Sequence, residues 1–188
     1  MVEPNSVFVV IPPHPTRRDI IASNVEIKSR CRDCARQTSL AEELADDIPQ
    51  QLQQEDTFFC VPTGRLKLRE FTDGSGELIQ YERADAGEPT ESQYVLAPTD
   101  DPLAMKDALT NALGVRAVVR KQRTVYLVGQ TRVHFDCVEN LGEFIELEVV
   151  LAPGQSFAEG AEIAADLMKQ LEIDERDLVE SAYVDLLE

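Results

Sequence analysis

A chain of 188 residues, 43% of them apolar, is long enough to bury one core and too apolar to be disordered throughout. Its net charge of −17, from 35 acidic and 18 basic residues, argues against non-specific attachment to nucleic acid or to an anionic membrane surface. A small anionic molecule stays open as a ligand, because a local cluster of Lys and Arg overrides the global sign at short range. No apolar run reaches the roughly 18 residues that a membrane span needs. The N-terminal VFVVIPPHPTRRDII is broken by prolines, has no basic segment ahead of it and no small-residue cleavage site, so it does not read as a signal peptide. Cys31 and Cys34 form a lone CxxC with no second pair to complete a zinc site. With Cys60 and Cys137 they are expected as reduced thiols of a cytoplasmic protein.

In chain order, residues 24–31 alternate as a strand, and residues 33–47 read as a helix capped by Asp33 and stopped before Pro49. Residues 51–61 are a strand. Residues 64–72 and 77–84 flank Asp73-Gly-Ser-Gly76, a hairpin signal. A short strand over 92–97 precedes a helix that opens at Asp100-Asp-Pro and stops at Gly114. Strands follow over 115–129, 131–138 and 143–151, then an amphipathic helix over 155–172 and a last short helix over 174–187. No internal repeat or linker interrupts them, so residues 1–188 are expected to form one domain.

Side chains at i and i+2 of a strand share a face. Glu26, Lys28 and Arg30 are in phase, as are Arg65, Lys67 and Arg69. Tyr81 and Arg83 are in phase, then Lys121 and Arg123, then Arg132, His134 and Asp136, then Glu146 and Glu148. A solvated outer face is the bland explanation, since half-wet antiparallel sheets are common. It does not account for segregation by sign, with a basic triplet on one strand and paired carboxylates on another. Amphipathic helices are available to cover an apolar outside, so the charged faces can turn inward. The expected fold is α+β, a closed eight-stranded antiparallel β-barrel with helices packed outside and a lumen sized for one small ligand.

Clustered cations repel: two about 4 Å apart cost roughly 4 kcal/mol at an effective dielectric of 20. A polyanion relieves this, guanidinium groups gripping phosphate bidentately and Lys acting as a point charge. Carboxylates in the same lumen would repel phosphate unless they hold Mg2+ or Mn2+.

These residues resemble the CYTH domain, the triphosphate-tunnel family of class IV adenylyl cyclases and thiamine and inorganic triphosphatases. The carriers are Asn24-Val-Glu-Ile-Lys28, Gln54-Glu-Asp-Thr-Phe-Phe59, Gly64-Arg-Leu-Lys-Leu-Arg69, Leu78-Ile-Gln-Tyr-Glu-Arg83, Val119-Arg-Lys-Gln-Arg123, and Arg132-Val-His-Phe-Asp136 leading to Leu141-Gly-Glu-Phe-Ile-Glu-Leu-Glu148. They span about residues 22–188 and look closest to proteins grouped with class IV cyclases. The resemblance implies a triphosphate-containing substrate bound by Lys28, Arg30, Arg65, Lys67, Arg69, Arg83, Lys121 and Arg123, with Lys28 and Arg123 catalytic. It implies Mg2+ or Mn2+ on Glu26, Asp136, Glu146 and Glu148, and a homodimer as one form of assembly. Asn24 stands where the family motif has its first Glu, which removes a charge from one metal position.

Three activities fit: metal-dependent hydrolysis of a triphosphate, cyclisation of ATP to cyclic AMP and pyrophosphate, or non-catalytic sensing of polyphosphate or nucleotide. Hydrolysis needs only a positioned water, whereas cyclisation also needs a base pocket that the sequence does not locate, so hydrolysis is the expected reaction.

Overall fold

The structure is a computed structural model that describes residues 22–83 and 90–187. The VFVVI segment, residues 7–11, lies outside the described residues. The strands are β1 (Ala22–Arg30), β2 (Gln50–Phe59), β3 (Arg65–Phe71), β4 (Gly76–Arg83), β5 (Thr90–Thr99), β6 (Val115–Val128), β7 (Thr131–Val138) and β8 (Gly142–Val150). The helices are α1 (Cys34–Leu44), α2 (Pro102–Leu113), α3 (Phe157–Gln170) and the single turn α4 (Tyr183–Leu186), with a 3-10 turn over Glu175–Asp177.

The strands form one antiparallel sheet curled on itself in the order β1-β5-β4-β3-β2-β6-β7-β8. β1 pairs with β8 from Asn24 to Arg30, and with β5 only from Ala22 to Glu26. The expected barrel is therefore present as a curled sheet whose β1–β5 seam is joined along part of β1. Beyond that point the C-terminal segment meets the β1 edge: Leu178 bridges Ser29, and Val179 N donates to Lys28 O at 2.9 Å. This corrects the helix expected over 174–187. Unpaired strand-edge groups need partners, so the chain runs extended past β1 and keeps only short turns on either side.

Local signals explain most boundaries. Asp33 caps α1 by accepting from Arg36 N, Asp101 caps α2 ahead of Pro102, and Ser156 with Glu159 forms a capping box on α3. α1 ends at Leu44, three residues short of expectation, because Ala45 is already extended. The odd-numbered face of β1 and β8 points outward. Val25, Ile27, Ile145, Leu147 and Val149 are buried there beneath Ala41 of α1 and Ala164 and Leu167 of α3. Gly160 lets α3 approach this closely: a Cβ there would fall 2.5 Å from Leu151 Cδ2 and 2.7 Å from Val25 Cγ2. A second apolar cluster lies at one end of the lumen, where Ala182, Tyr183 and Val184 pack on Phe58, Val119, Val138 and Phe144.

The expected set of reduced thiols is corrected at one pair. Cys31 and Cys34 are disulfide-bonded across the β1–α1 corner, while Cys60 and Cys137 are free and exposed. No helix among the described residues is long and apolar enough to cross a membrane.

Candidate active site

The register places the charged faces on one interior. Asp56 lies opposite Arg69, Leu52 opposite Arg123, Arg123 opposite Asp136, His134 opposite Glu146, Glu148 opposite Glu26, and Arg65 opposite Tyr81. Glu26, Lys28, Arg65, Lys67, Arg69, Lys121, Arg123, Asp136, Glu146 and Glu148 thus fall in one phase around the sheet. Arg83 ends β4 in the same phase, but its side chain lies outside the described residues.

Two buried aspartates organise the cations. Asp56, 2% exposed, accepts from Arg69 Nε at 2.8 Å, Arg69 Nη2 at 2.9 Å and Lys67 Nζ at 2.8 Å. Asp136, also 2% exposed, accepts from Arg123 Nε at 2.6 Å, Lys121 Nζ at 3.2 Å and Tyr183 Oη at 3.0 Å. Each aspartate holds one Lys and one Arg from the same strand. Burial would raise the Asp56 carboxyl pKa, but Arg69 and Lys67 outweigh it and keep the group well below the usual carboxylate range. Burial pushes the Lys121 ammonium down to about 7, aided by Arg123 and only partly opposed by Asp136. Lys67 is lowered in the same way, by burial and then by Arg69. It sits between two aromatic faces, its Nζ 5.6 Å from the Phe58 centroid and 5.7 Å from that of Tyr81.

The carboxylates of β8 form the other side. Glu146 pairs with Lys28 at 3.2 Å and with Arg123. Glu148 accepts from Asn24 Nδ2 at 2.6 Å and pairs with Arg132 at 3.2 Å. His134, 5% exposed, stands between them, Nδ1 3.8 Å from Glu146 and Nε2 3.7 Å from Glu148. Burial and then Arg123 lower its pKa, so the imidazole is neutral at pH 7.

Some expected positions have other partners. Arg30 is exposed at the rim, donating to Leu141 O at 2.6 Å and stacking over Phe144. Arg65 pairs with Asp185 of α4 at 2.8 Å, and Arg116 pairs with the same carboxylate at 2.7 Å. Both arginines line a cavity of about 420 Å3 with Phe58, Phe59 and Gly64. Asp136, expected to bind metal, already accepts from three side chains. The sequence reading assigned no role to Asp56, His134 or Tyr183. The Tyr183 ring carries Lys28 Nζ at 4.2 Å and Lys121 Nζ at 5.2 Å from its centroid, so the C-terminal segment reaches the centre of the charged cluster.

Among the described residues, no three His, Cys, Asp or Glu side chains already converge as a ligand set. The donors still suit a hard divalent ion. Glu26 and Glu148 face each other across the β1–β8 ladder, and the buried Asn24 Oδ1 beside Glu148 has no hydrogen-bond partner. An orphaned amide oxygen next to carboxylates is a place where an oxygen-seeking cation settles.

A curled antiparallel sheet with cations and carboxylates sharing its interior defines a class of α+β proteins with a charged sheet interior. Within that class the chain belongs to the CYTH domain family, which matches residues 22–183. No curated protein matches. Among solved structures the chain is similar to the PH1012 protein of Pyrococcus horikoshii, at 24% identity and a TM-score of 0.78 over 87% of this chain and 98% of that one. It is also similar to a Vibrio parahaemolyticus protein provisionally named an adenylate cyclase, at 20% identity and a TM-score of 0.69 over 87% and 97%. A third likeness is to HpAC1 from Hippeastrum, an adenylyl cyclase by provisional name for which a dominant triphosphatase activity is described. There the identity is 14% and the TM-score 0.59 over 85% and 91%. At these identities the likeness is one of fold.

Proposed function

We propose that the protein is a metal-dependent phosphohydrolase acting on a triphosphate-containing substrate bound in the curled sheet. The observation that carries this reading is the pair of aspartate-anchored cation couples, Lys67–Arg69 on Asp56 and Lys121–Arg123 on Asp136, facing one interior. Guanidinium forks already fixed by a carboxylate lose little entropy on meeting phosphate oxygens. Arg69 and Arg123 hold non-bridging oxygens, and Lys67 and Lys121 balance the remaining charge. Lys28, paired with Glu146, and Arg123 stand at the phosphoryl group that is transferred, where charge grows in the transition state. Asp56 and Asp136 do not touch substrate; they position the cations.

Glu26, Glu148 and the Asn24 amide oxygen, with Glu146 alongside, would hold Mg2+ or Mn2+. Bound there, the ion supplies Lewis-acid neutralisation of phosphoryl oxygens. His134 stays neutral between Glu146 and Glu148 and keeps their oxygens apart. The dominant triphosphatase activity named for the Hippeastrum protein supports hydrolysis over cyclisation.

The deciding experiment incubates the protein with ATP, thiamine triphosphate and tripolyphosphate, each with Mg2+ or Mn2+. Orthophosphate release is the expected result. Cyclic AMP with pyrophosphate would assign the cyclase reaction instead, and saturable binding without product would make the protein a sensor.

A further inference from the structure

The bonded pair Cys31–Cys34 has no part in the proposed reaction. Cys31 follows the last residue of β1, Cys34 is the first residue of α1, and their Cα atoms are 5.3 Å apart. Both are half-buried, within reach of solvent. The bond makes a poor staple. Stabilisation by a disulfide grows with the loop it closes, and this one spans three residues of separation. The corner is also held without it: Cys31 N donates to Glu143 O at 3.1 Å, and Asp33 caps α1.

The surroundings suit reactive sulfur instead. Arg30, Arg32 and Arg36 flank the pair in sequence but turn to Leu141 O, to Asp174 and Asp177, and to Glu172. Cys34 stands at the positive end of α1, whose first turn carries no acidic residue, and that position favours a thiolate. Gln37, 3% exposed, is fixed by donating to Leu171 O at 3.1 Å. Its Oε1 lies 3.5 Å from Cys31 Sγ, placed to accept from the thiol that reduction creates.

We propose that Cys31–Cys34 is a redox-active site whose substrate is a thiol reductant, either a dithiol protein or a small dithiol. A reductant thiolate attacks Cys31 Sγ and the Cys31–Cys34 bond breaks. Cys34 leaves as a thiolate stabilised by the N-terminus of α1. The second thiol of the reductant, as thiolate, then attacks the mixed disulfide and releases Cys31, which takes up a proton and donates to Gln37. Two electrons pass from the dithiol to the pair; the reductant ends as a disulfide and the protein as a dithiol.

The test uses the full chain carrying Cys60→Ser and Cys137→Ser. It is equilibrated with mixtures of reduced and oxidised dithiothreitol, quenched with a maleimide and weighed intact, with far-UV circular dichroism confirming the fold. The expected result is a single transition from no label to two labels, with the slope of a two-electron couple. Adding Cys34→Ser should leave one label at every ratio. Two labels even in fully oxidised dithiothreitol, no label in fully reduced dithiothreitol while the protein stays folded, or an accumulating one-label species in the background with both Cys31 and Cys34 would each overturn the proposal.

Discussion

At the scale of single residues, Asp56 shows how a carboxylate organises a phosphate site without touching phosphate. Replacing it with Asn leaves Lys67 and Arg69 buried and facing each other uncompensated. Removing one partner of a buried ionic cluster costs about 3–5 kcal/mol, and at about 2–4 °C per kcal/mol for a chain of this size Asp56→Asn should lower the melting temperature by roughly 10 °C. Tripolyphosphate should raise the melting temperature of this variant more than that of the wild type, because the polyanion replaces the lost charge. Equal shifts in differential scanning fluorimetry would show that Asp56 does not set the charge of the site. Asn24 tests the other side. Asn24→Glu places a new carboxylate against Glu148, which Asn24 Nδ2 now holds at 2.6 Å. The variant should melt lower in EDTA and gain more from Mn2+ than the wild type does. A melting temperature unchanged by Mn2+ in both proteins would remove the metal from Glu26, Glu148 and Asn24. The in-phase Lys, Arg and Glu residues were legible because period-2 alternation needs no knowledge of partners. Asp56 was not: it alternates with Gln54 and Phe58, and its partners depend on the β2–β3 register. His134 was seen in phase with Arg132 and Asp136, yet its place between two glutamates follows only from the β7–β8 ladder.

At the scale of elements, eight strands and three of the helices were readable from caps, turns and periodicity, and the C-terminal segment was not. Its helical pattern lost to the hydrogen-bonding demand of the β1 edge, a tertiary effect that no local window contains. Tyr183 was missed for the same reason, lying 47 residues beyond the Asp136 it contacts. How tightly α3 lies on β1 was also hidden, because a glycine inside an amphipathic helix reads as a weak position when it is a close-packing one. Gly160→Ala should gain helix propensity of up to about 1 kcal/mol but drive a methyl group into Val25 and Leu151. Overpacking of this kind costs about 1–3 kcal/mol, so the net outcome should be a lower melting temperature with the tripolyphosphate-induced shift unchanged. A rise in melting temperature would mean that α3 rides off the sheet without penalty.

At the scale of the whole molecule, a chain of net charge −17 buries three of its cations, Lys28, Lys121 and Arg123, in the sheet interior. Buried ammonium groups couple this arrangement to pH. Burial and Arg123 bring Lys121 down to about 7 in the folded chain, against 10.5 for an unperturbed Lys. Between those values the unfolded chain holds a proton that the folded chain has released. Lys121 therefore lowers stability at and below about pH 7, and its penalty fades as pH rises toward 10.5. A bound polyanion reverses the preference by stabilising the ammonium form. Tripolyphosphate binding at pH 8 should thus take up a fraction of a proton, and affinity should weaken as pH rises above 7. Titration calorimetry in two buffers of different ionisation enthalpy measures the uptake directly. Lys121→Arg keeps the charge at every pH, so it should bind with less uptake and a flatter pH profile, while ligand at a hundredfold excess over Kd still adds about 2.7 kcal/mol of stability. If the wild type shows no buffer-dependent enthalpy, or Lys121→Arg shows the same uptake, the proton belongs elsewhere in the cluster, and Lys67, lowered by burial and by Arg69, is the next group to replace.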